Sequence, residues 1–91
     1  MSTEINLPQA GLRGKYSEHS DVIKLNDKTY QAMRYDVRLE NRNLSSVYRD
    51  TSSGEWIYNL LESSPRVQDE IRNVIDQIEG RKPVNTNYFG D

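Results

Sequence analysis

Residues 22–49 read VIKLNDKTYQAMRYDVRLENRNLSSVYR, and the fold turns on how this stretch is read. It opens on alternating residues: Ile23 and Leu25 share one face, while Val22, Lys24 and Asn26 share the other. That period of two is the pattern of a short strand, over residues 21–26, which needs a partner to be stable. Asn26 or Asp27 then supplies a short side-chain oxygen of the kind that caps a helix N-terminus. The spacing predicts a helix over about 27–41, with Tyr30, Ala32, Met33 and Val37 on its apolar stripe. Arg34, Asp36, Arg38 and Glu40 surround that stripe with charge. The polar run Asn41-Arg42-Asn43 reads as a turn, with Asn41 suited to the left-handed conformation that closes a helix.

Working outward, a second helix is predicted to start at 43–46 and to carry Leu44, Val47, Tyr48 and Thr51. Ser52-Ser53-Gly54-Glu55 interrupts it. Gly54 is costly inside a helix and Ser52 with Glu55 has the spacing of a capping box, so the helix either runs on to Glu62 or breaks near residue 52 and restarts. In both cases Trp56, Ile57, Leu60 and Leu61 form an apolar face. A last helix is bounded by Ser64 as cap, Pro65 at its first position and Gly80 past its end. Val67, Ile71, Val74, Ile75 and Ile78 make one continuous stripe along it. The predicted organisation is an arm over 1–20, a core over 21–63, an amphipathic helix over 64–80, and a tail over 81–91 that carries Tyr88 and Phe89. Arg13 and Lys15, the cations of the arm, read as part of a solvated tail, with phosphate contact as the alternative.

Only 34% of the 91 residues are hydrophobic, so a monomer has little apolar surface to bury. Sharing a core with a second copy is the expected remedy. The net charge is −2, with the basic excess in the first half of the chain and the acidic excess in the second. There is no cysteine, which removes disulfides, thiolate metal sites and cysteine nucleophiles. No apolar run has the length of a signal peptide or a membrane span, and a cytoplasmic protein without membrane association is expected.

The residues offer little chemistry. His19 is the one histidine and has no nucleophile spaced around it for a triad. No metal-ligand spacing or glycine-rich phosphate loop occurs. The acidic pairs Asp69-Glu70 and Asp76 with Glu79 fit the solvated side of the last helix. The expectation is a binding protein rather than an enzyme, with no catalytic residue, metal or cofactor.

From Val22 to Arg49 the predicted order of strand, capped helix, turn and second helix resembles the ribbon–helix–helix (Arc/MetJ-type) family of DNA-binding regulators. The resemblance covers about 28 residues and rests on the spacing of Leu25, Tyr30, Met33, Val37 and the Leu44-Ser45 pair. It implies a mainly α fold, a short strand followed by three helices, assembled as a homodimer around an intersubunit β-ribbon. Ile23, Leu25, Tyr30, Met33, Val37 and Val47 would form the dimer core. Val22, Lys24 and Asn26 would face base edges in the major groove of double-stranded DNA, and the helix start at Leu44, Ser45 and Ser46 would hold a phosphate. The sequence departs from that family in carrying one outward basic residue, Lys24, and in having Asn41 where a glycine is common.

The function expected is therefore sequence-specific transcription regulation, as a repressor, an antitoxin or a plasmid or phage accessory regulator. In the antitoxin case, 64–91 would engage a protein partner. A reading from another class is a small helical adaptor or inhibitor that binds protein and not DNA.

Overall fold

Asn26 and Asp27 both adopt positive φ, at 51° and 64°, and this pair of residues overturns the helical reading. Two successive left-handed residues form the tight hairpin turn whose twist matches that of the strands it joins. The computed structural model describes residues 2–80. In it the chain enters the turn as strand β2 (Leu12–Leu25) and leaves it as β3 (Lys28–Leu39), paired antiparallel from Gly14–Leu39 to Leu25–Lys28. The short polar side chains expected to cap a helix instead occupy a turn.

The remaining elements extend this hairpin into a meander. Strand β1 (Thr3–Leu7) pairs with the start of β2, β4 (Ser45–Asp50) with β3, and β5 (Trp56–Asn59) with β4. The sheet order is β1-β2-β3-β4-β5, and one helix, α1 (Pro65–Ile78), follows. Over the described residues the fold is thus a five-stranded antiparallel sheet with a single helix, not a mainly α chain of three helices. Residues 27–41 and 43–63 contain no helix, and residues 3–20, expected as an arm, are β1 and much of β2. The expected tail at 81–91, with Tyr88 and Phe89, lies outside the described residues.

The physical reason lies in β3. Met33, Tyr35, Val37 and Leu39 alternate strictly with Arg34, Asp36 and Arg38, so one side of the strand is apolar and the other charged. Tyr35, Val37 and Leu39 are buried. The 3.6-residue stripe through Tyr30, Met33 and Val37 takes residues from both sides of this strand. Likewise Ser52-Ser53-Gly54 is not a break in a helix but the β4–β5 turn. The Asp50 carboxylate accepts from the Ser52 amide at 3.1 Å and the Ser53 hydroxyl at 3.0 Å, and Gly54 supplies φ of 79°.

Helix α1 lies where its stripe and punctuation place it. Ser64 caps it by accepting from the Val67 amide, and Pro65 occupies the first turn. Ile71 and Ile75 are buried against Ile5, Leu7, Tyr16, Tyr35, Val37, Leu39 and Val47, all on one face of the sheet. Each such aliphatic side chain contributes about 1.5–3 kcal/mol by burial. The helix is also tied to the β1–β2 loop, because Glu70 accepts the Gln9 and Ala10 amides at 2.9 and 3.0 Å. Among the described residues, no helix lies over the opposite face of the sheet.

The six residues expected in a dimer core divide between the two faces. Val37 and Val47 are buried under α1 and Met33 packs beside them, within one chain. Ile23, Leu25 and Tyr30 are half-buried on the other face, where Ile23 sits opposite Tyr30 in the intrachain hairpin. The strand expected to pair with a second subunit therefore already has β3 as its partner.

Two outcomes follow from this geometry. A Cβ added at Gly14 would lie 2.3 Å from the Arg38 carbonyl oxygen and 2.9 Å from the Leu39 Cα. Since backbone cannot yield as a side-chain tip does, Gly14→Ala is expected to lower stability by about 1–3 kcal/mol in urea unfolding. Unchanged stability would show that the strands do not approach this closely. Asp27→Gly, which relieves a left-handed aspartate and makes the Asn-Gly pair that this turn favours, is expected to raise the urea midpoint slightly; a clear loss would contradict the turn.

Candidate functional site

Because α1 covers one face, every second residue of β2, β3 and β4 projects onto the uncovered one. The registers order these side chains into rows. One row crosses four strands: His19 on β2, Arg34 on β3, Tyr48 on β4 and Tyr58 on β5. Two rows away, Lys15 sits directly opposite Arg38. Between them lie Ser17, Asp36 and Ser46. On the far side of the long row, Ala32 and then Ile23 with Tyr30 lead out along the β2–β3 hairpin.

The long row is held by charge. Arg34 donates to Asp36 at 3.0 Å through Nε and to Asp21 at 3.3 Å through Nη1, and Ser46 donates to Asp36 at 2.7 Å. The hydrogen bond to Asp36 holds the Arg34 guanidinium protonated beyond its ordinary range. Beside it, the Tyr48 and Tyr58 rings lie 5.8 Å apart at a tilt of 44°, a favourable aromatic contact that leaves Tyr58 exposed.

Ser17, His19 and Asp36 bring together the residue types of a hydrolase triad, but not its geometry. Ser17 Oγ lies 3.2 Å and Asp36 Oδ2 3.4 Å from the same imidazole nitrogen, Nε2. A relay needs the base on one nitrogen and its orienting carboxylate on the other. Among the described residues no group of three or more His, Asp or Glu side chains is placed to hold a metal ion.

The Lys15–Arg38 pair is the unusual feature. Like charges directly opposite across antiparallel strands are destabilising, yet neither side chain has an ion-pair partner among the described residues. Both line a cleft of about 480 Å³ that Glu40, Asn41, Arg42 and Asn43 of the β3–β4 loop complete. Asn41 takes φ of 61° there, so its expected left-handed conformation serves a strand-to-strand turn. Arg42 adds a third cation, and Arg13 approaches Glu40 at 3.4 Å in an exposed pair.

The expected DNA-contacting residues fall elsewhere. Val22 and Lys24 are exposed on the helix side of the hairpin, beyond the reach of α1, and Asn26 is in the turn itself. Leu44 is an exposed loop residue, and Ser45 and Ser46 begin a strand. No helix starts at 44–46, so its backbone amides do not make the expected phosphate site. Conversely, Lys15, read as a cation of the arm, was not grouped with Arg34, Arg38, Tyr48 and Tyr58, which the registers place on the same face. The alternation of Arg34, Asp36 and Arg38 is the sequence signal that would have put them on one strand face.

Under α1 the polar residues play a structural part. Arg49 is 1% exposed; its guanidinium pairs with Asp76 and Glu79 and lies 4.1 Å from the Trp56 ring centroid. Tyr35 donates to Glu79 at 2.7 Å. Burial, then this hydrogen bond, raises the Tyr35 phenol above its ordinary value of 10.0, and burial followed by the Glu79 charge raises Tyr16.

Comparison with models of known protein families, with curated proteins and with solved structures found no match. Among the described residues no helix is long and apolar enough to cross a membrane.

The two raised phenols bind their protons more tightly in the folded chain than in the unfolded one. The stability they contribute is complete below pH 10 and is lost as pH rises through the folded values. The urea midpoint is expected to hold steady through about pH 7–9 and to fall above pH 10, with a shallower fall in Tyr35→Phe. Parallel curves for the two proteins would contradict the burial of Tyr35.

Proposed function

We propose that the protein is a nucleic-acid-binding module that uses the uncovered face of its sheet. The observation carrying this reading is the Lys15–Arg38 pair, which closes no ion pair among the described residues, set two rows from the half-buried Arg34 and Tyr48 and the exposed Tyr58 on the same face. Rows on one strand face repeat every two residues, about 7 Å apart. Cations at one end and aromatic rings at the other thus suit a strand whose phosphates meet Lys15, Arg38 and Arg42 while its bases stack on Tyr58 and Tyr48.

A net charge of −2 does not oppose this, since the field near the face depends on where the charge lies. The acidic groups of α1 are turned to the other side of the sheet. The expected DNA-binding role is thereby kept as a proposal with a different surface. A single strand suits a flat sheet face better than a duplex, whose major groove takes a helix or a narrow two-stranded ribbon. Regulation of transcription, in repressor, antitoxin or accessory form, belongs to the same proposal.

A second reading, a protein-binding adaptor, is favoured by the exposed apolar side chains Leu44, Tyr58 and Leu60. The two readings differ in salt dependence.

Fluorescence anisotropy with a labelled oligo-dT or oligo-U tests the proposal. The parent is expected to bind with an affinity that falls as salt rises. Lys15→Ala with Arg38→Ala should weaken binding at least tenfold and reduce the salt slope by about one to two. Tyr58→Ala should weaken binding with the slope retained, by about 1–3 kcal/mol per stacked base. No binding by the parent at low salt, or equal binding by the variants, would overturn the proposal in favour of the adaptor.

A further inference from the structure

Strand β2 is far longer than the strand beside it. Of its 14 residues, only Leu12–Tyr16 pair with β1, so its outer edge from Ser17 to Leu25 has no strand partner among the described residues. The direction of its backbone groups is set by β3. Arg13 accepts from the Glu40 amide, and Leu25 and Lys28 close the two-residue turn, so the odd-numbered residues of β2 bond to β3. The even-numbered residues therefore turn their N–H and C=O groups outward. The Val22 amide agrees with this, since it donates to the carboxylate of its neighbour Asp21 at 2.9 Å. Edges of this length are usually shortened, bulged or covered.

We propose that this edge pairs antiparallel with the same edge of a second copy, joining two sheets into one of ten strands. This inference stands independently of the nucleic-acid reading. Pairing over the whole of residues 17–25 places the twofold axis at Asp21, and the edge is self-complementary in that register. On the helix side Lys24 of each copy meets Glu18 of the other, and Ser20 meets Val22. Opposite charges thus face each other twice, and the 56% exposed Val22 is covered. The two Asp21 carboxylates approach at the axis, each already bridged to its own Arg34 at 3.3 Å. Shifting the register two residues one way drives Lys24 against Tyr16, which β1 occupies. Shifting it the other way leaves Ser17 unpaired and loses the Glu18–Lys24 match. A twofold axis perpendicular to the sheet sets both helices on one side and both uncovered faces on the other.

Sedimentation equilibrium or light scattering on the full chain tests this. The parent is expected to be dimeric at tens of micromolar. Val22→Pro removes an N–H that no intrachain ladder uses and should give a monomer that still unfolds cooperatively. Lys24→Glu should raise the dimer dissociation constant roughly tenfold, and Glu18→Lys combined with Lys24→Glu should restore it. The charge-swapped pair decides the matter even where Val22→Pro fails to fold. A parent that stays monomeric at several hundred micromolar, or a dimer indifferent to Lys24→Glu, would overturn the inference.

Discussion

Arg49 is the residue on which the two layers of this protein depend. It stands on β4 inside the interface between sheet and helix, with its guanidinium over Trp56 of β5 and paired to Asp76 of α1 and to Glu79 at its C-cap. A buried cation is costly unless its partners are in place, so the sheet and the helix are each incomplete without the other. Tyr35 on β3 and Trp56 add hydrogen bonds to the same two carboxylates, so three strands meet one helical turn through a single charge cluster. This is how a chain with few apolar residues holds a helix on a sheet. The apolar contacts of Ile71 and Ile75 supply burial, and the charge cluster fixes where along the sheet the end of the helix sits.

Most charged residues of β2 and β3, from Lys15 to Asp21 and from Arg34 to Arg38, alternate onto the face opposite α1, while Glu18 and Lys24 stay on the helix side. Arg34 is balanced by Asp21 and Asp36, which makes a rigid centre. Lys15 stands between Glu4 of β1 and Arg38 of β3, and neither cation closes an ion pair among the described residues. That cation pair and the nearby Tyr48 and Tyr58 rings are what the proposed nucleic-acid reading rests on.

How much of this could be read from residues alone depends on the element. The extent of the last helix was legible, because Ser64, Pro65 and Gly80 punctuate it and five aliphatic residues repeat at helical spacing. Its polar side was not: Asp69-Glu70 and Asp76 with Glu79 read as solvated, whereas Glu70 and Asp76 are buried and Ile78 of the expected stripe is exposed. The interior positions of Val37 and Val47 were legible too, since a buried valine is buried in either kind of element. The strands were not. In β3, Tyr30, Met33 and Val37 satisfy a helical stripe while Met33, Tyr35, Val37 and Leu39 satisfy alternation, and only long-range pairing with β2 and β4 decides between them. Asn26-Asp27 failed for a related reason: the same short polar side chains that cap helices also tolerate the left-handed backbone of a hairpin turn. The candidate surface went unseen because Lys15 and Arg38 are 23 positions apart in sequence and meet only through the β2–β3 register. Nothing local marked Arg49 for burial, since its partners come from the far end of the chain.

A double-mutant cycle between Arg49 and Asp76, read by urea unfolding, tests the account most directly. Arg49→Met leaves Asp76 buried without its cation and should cost about 3–5 kcal/mol. Asp76→Leu should cost a comparable amount, and the two together clearly less than their sum, with a coupling of at least about 1.5 kcal/mol. Additive losses, or a small effect of Arg49→Met alone, would mean that the helix is not anchored through this cluster and would contradict the arrangement of the two layers.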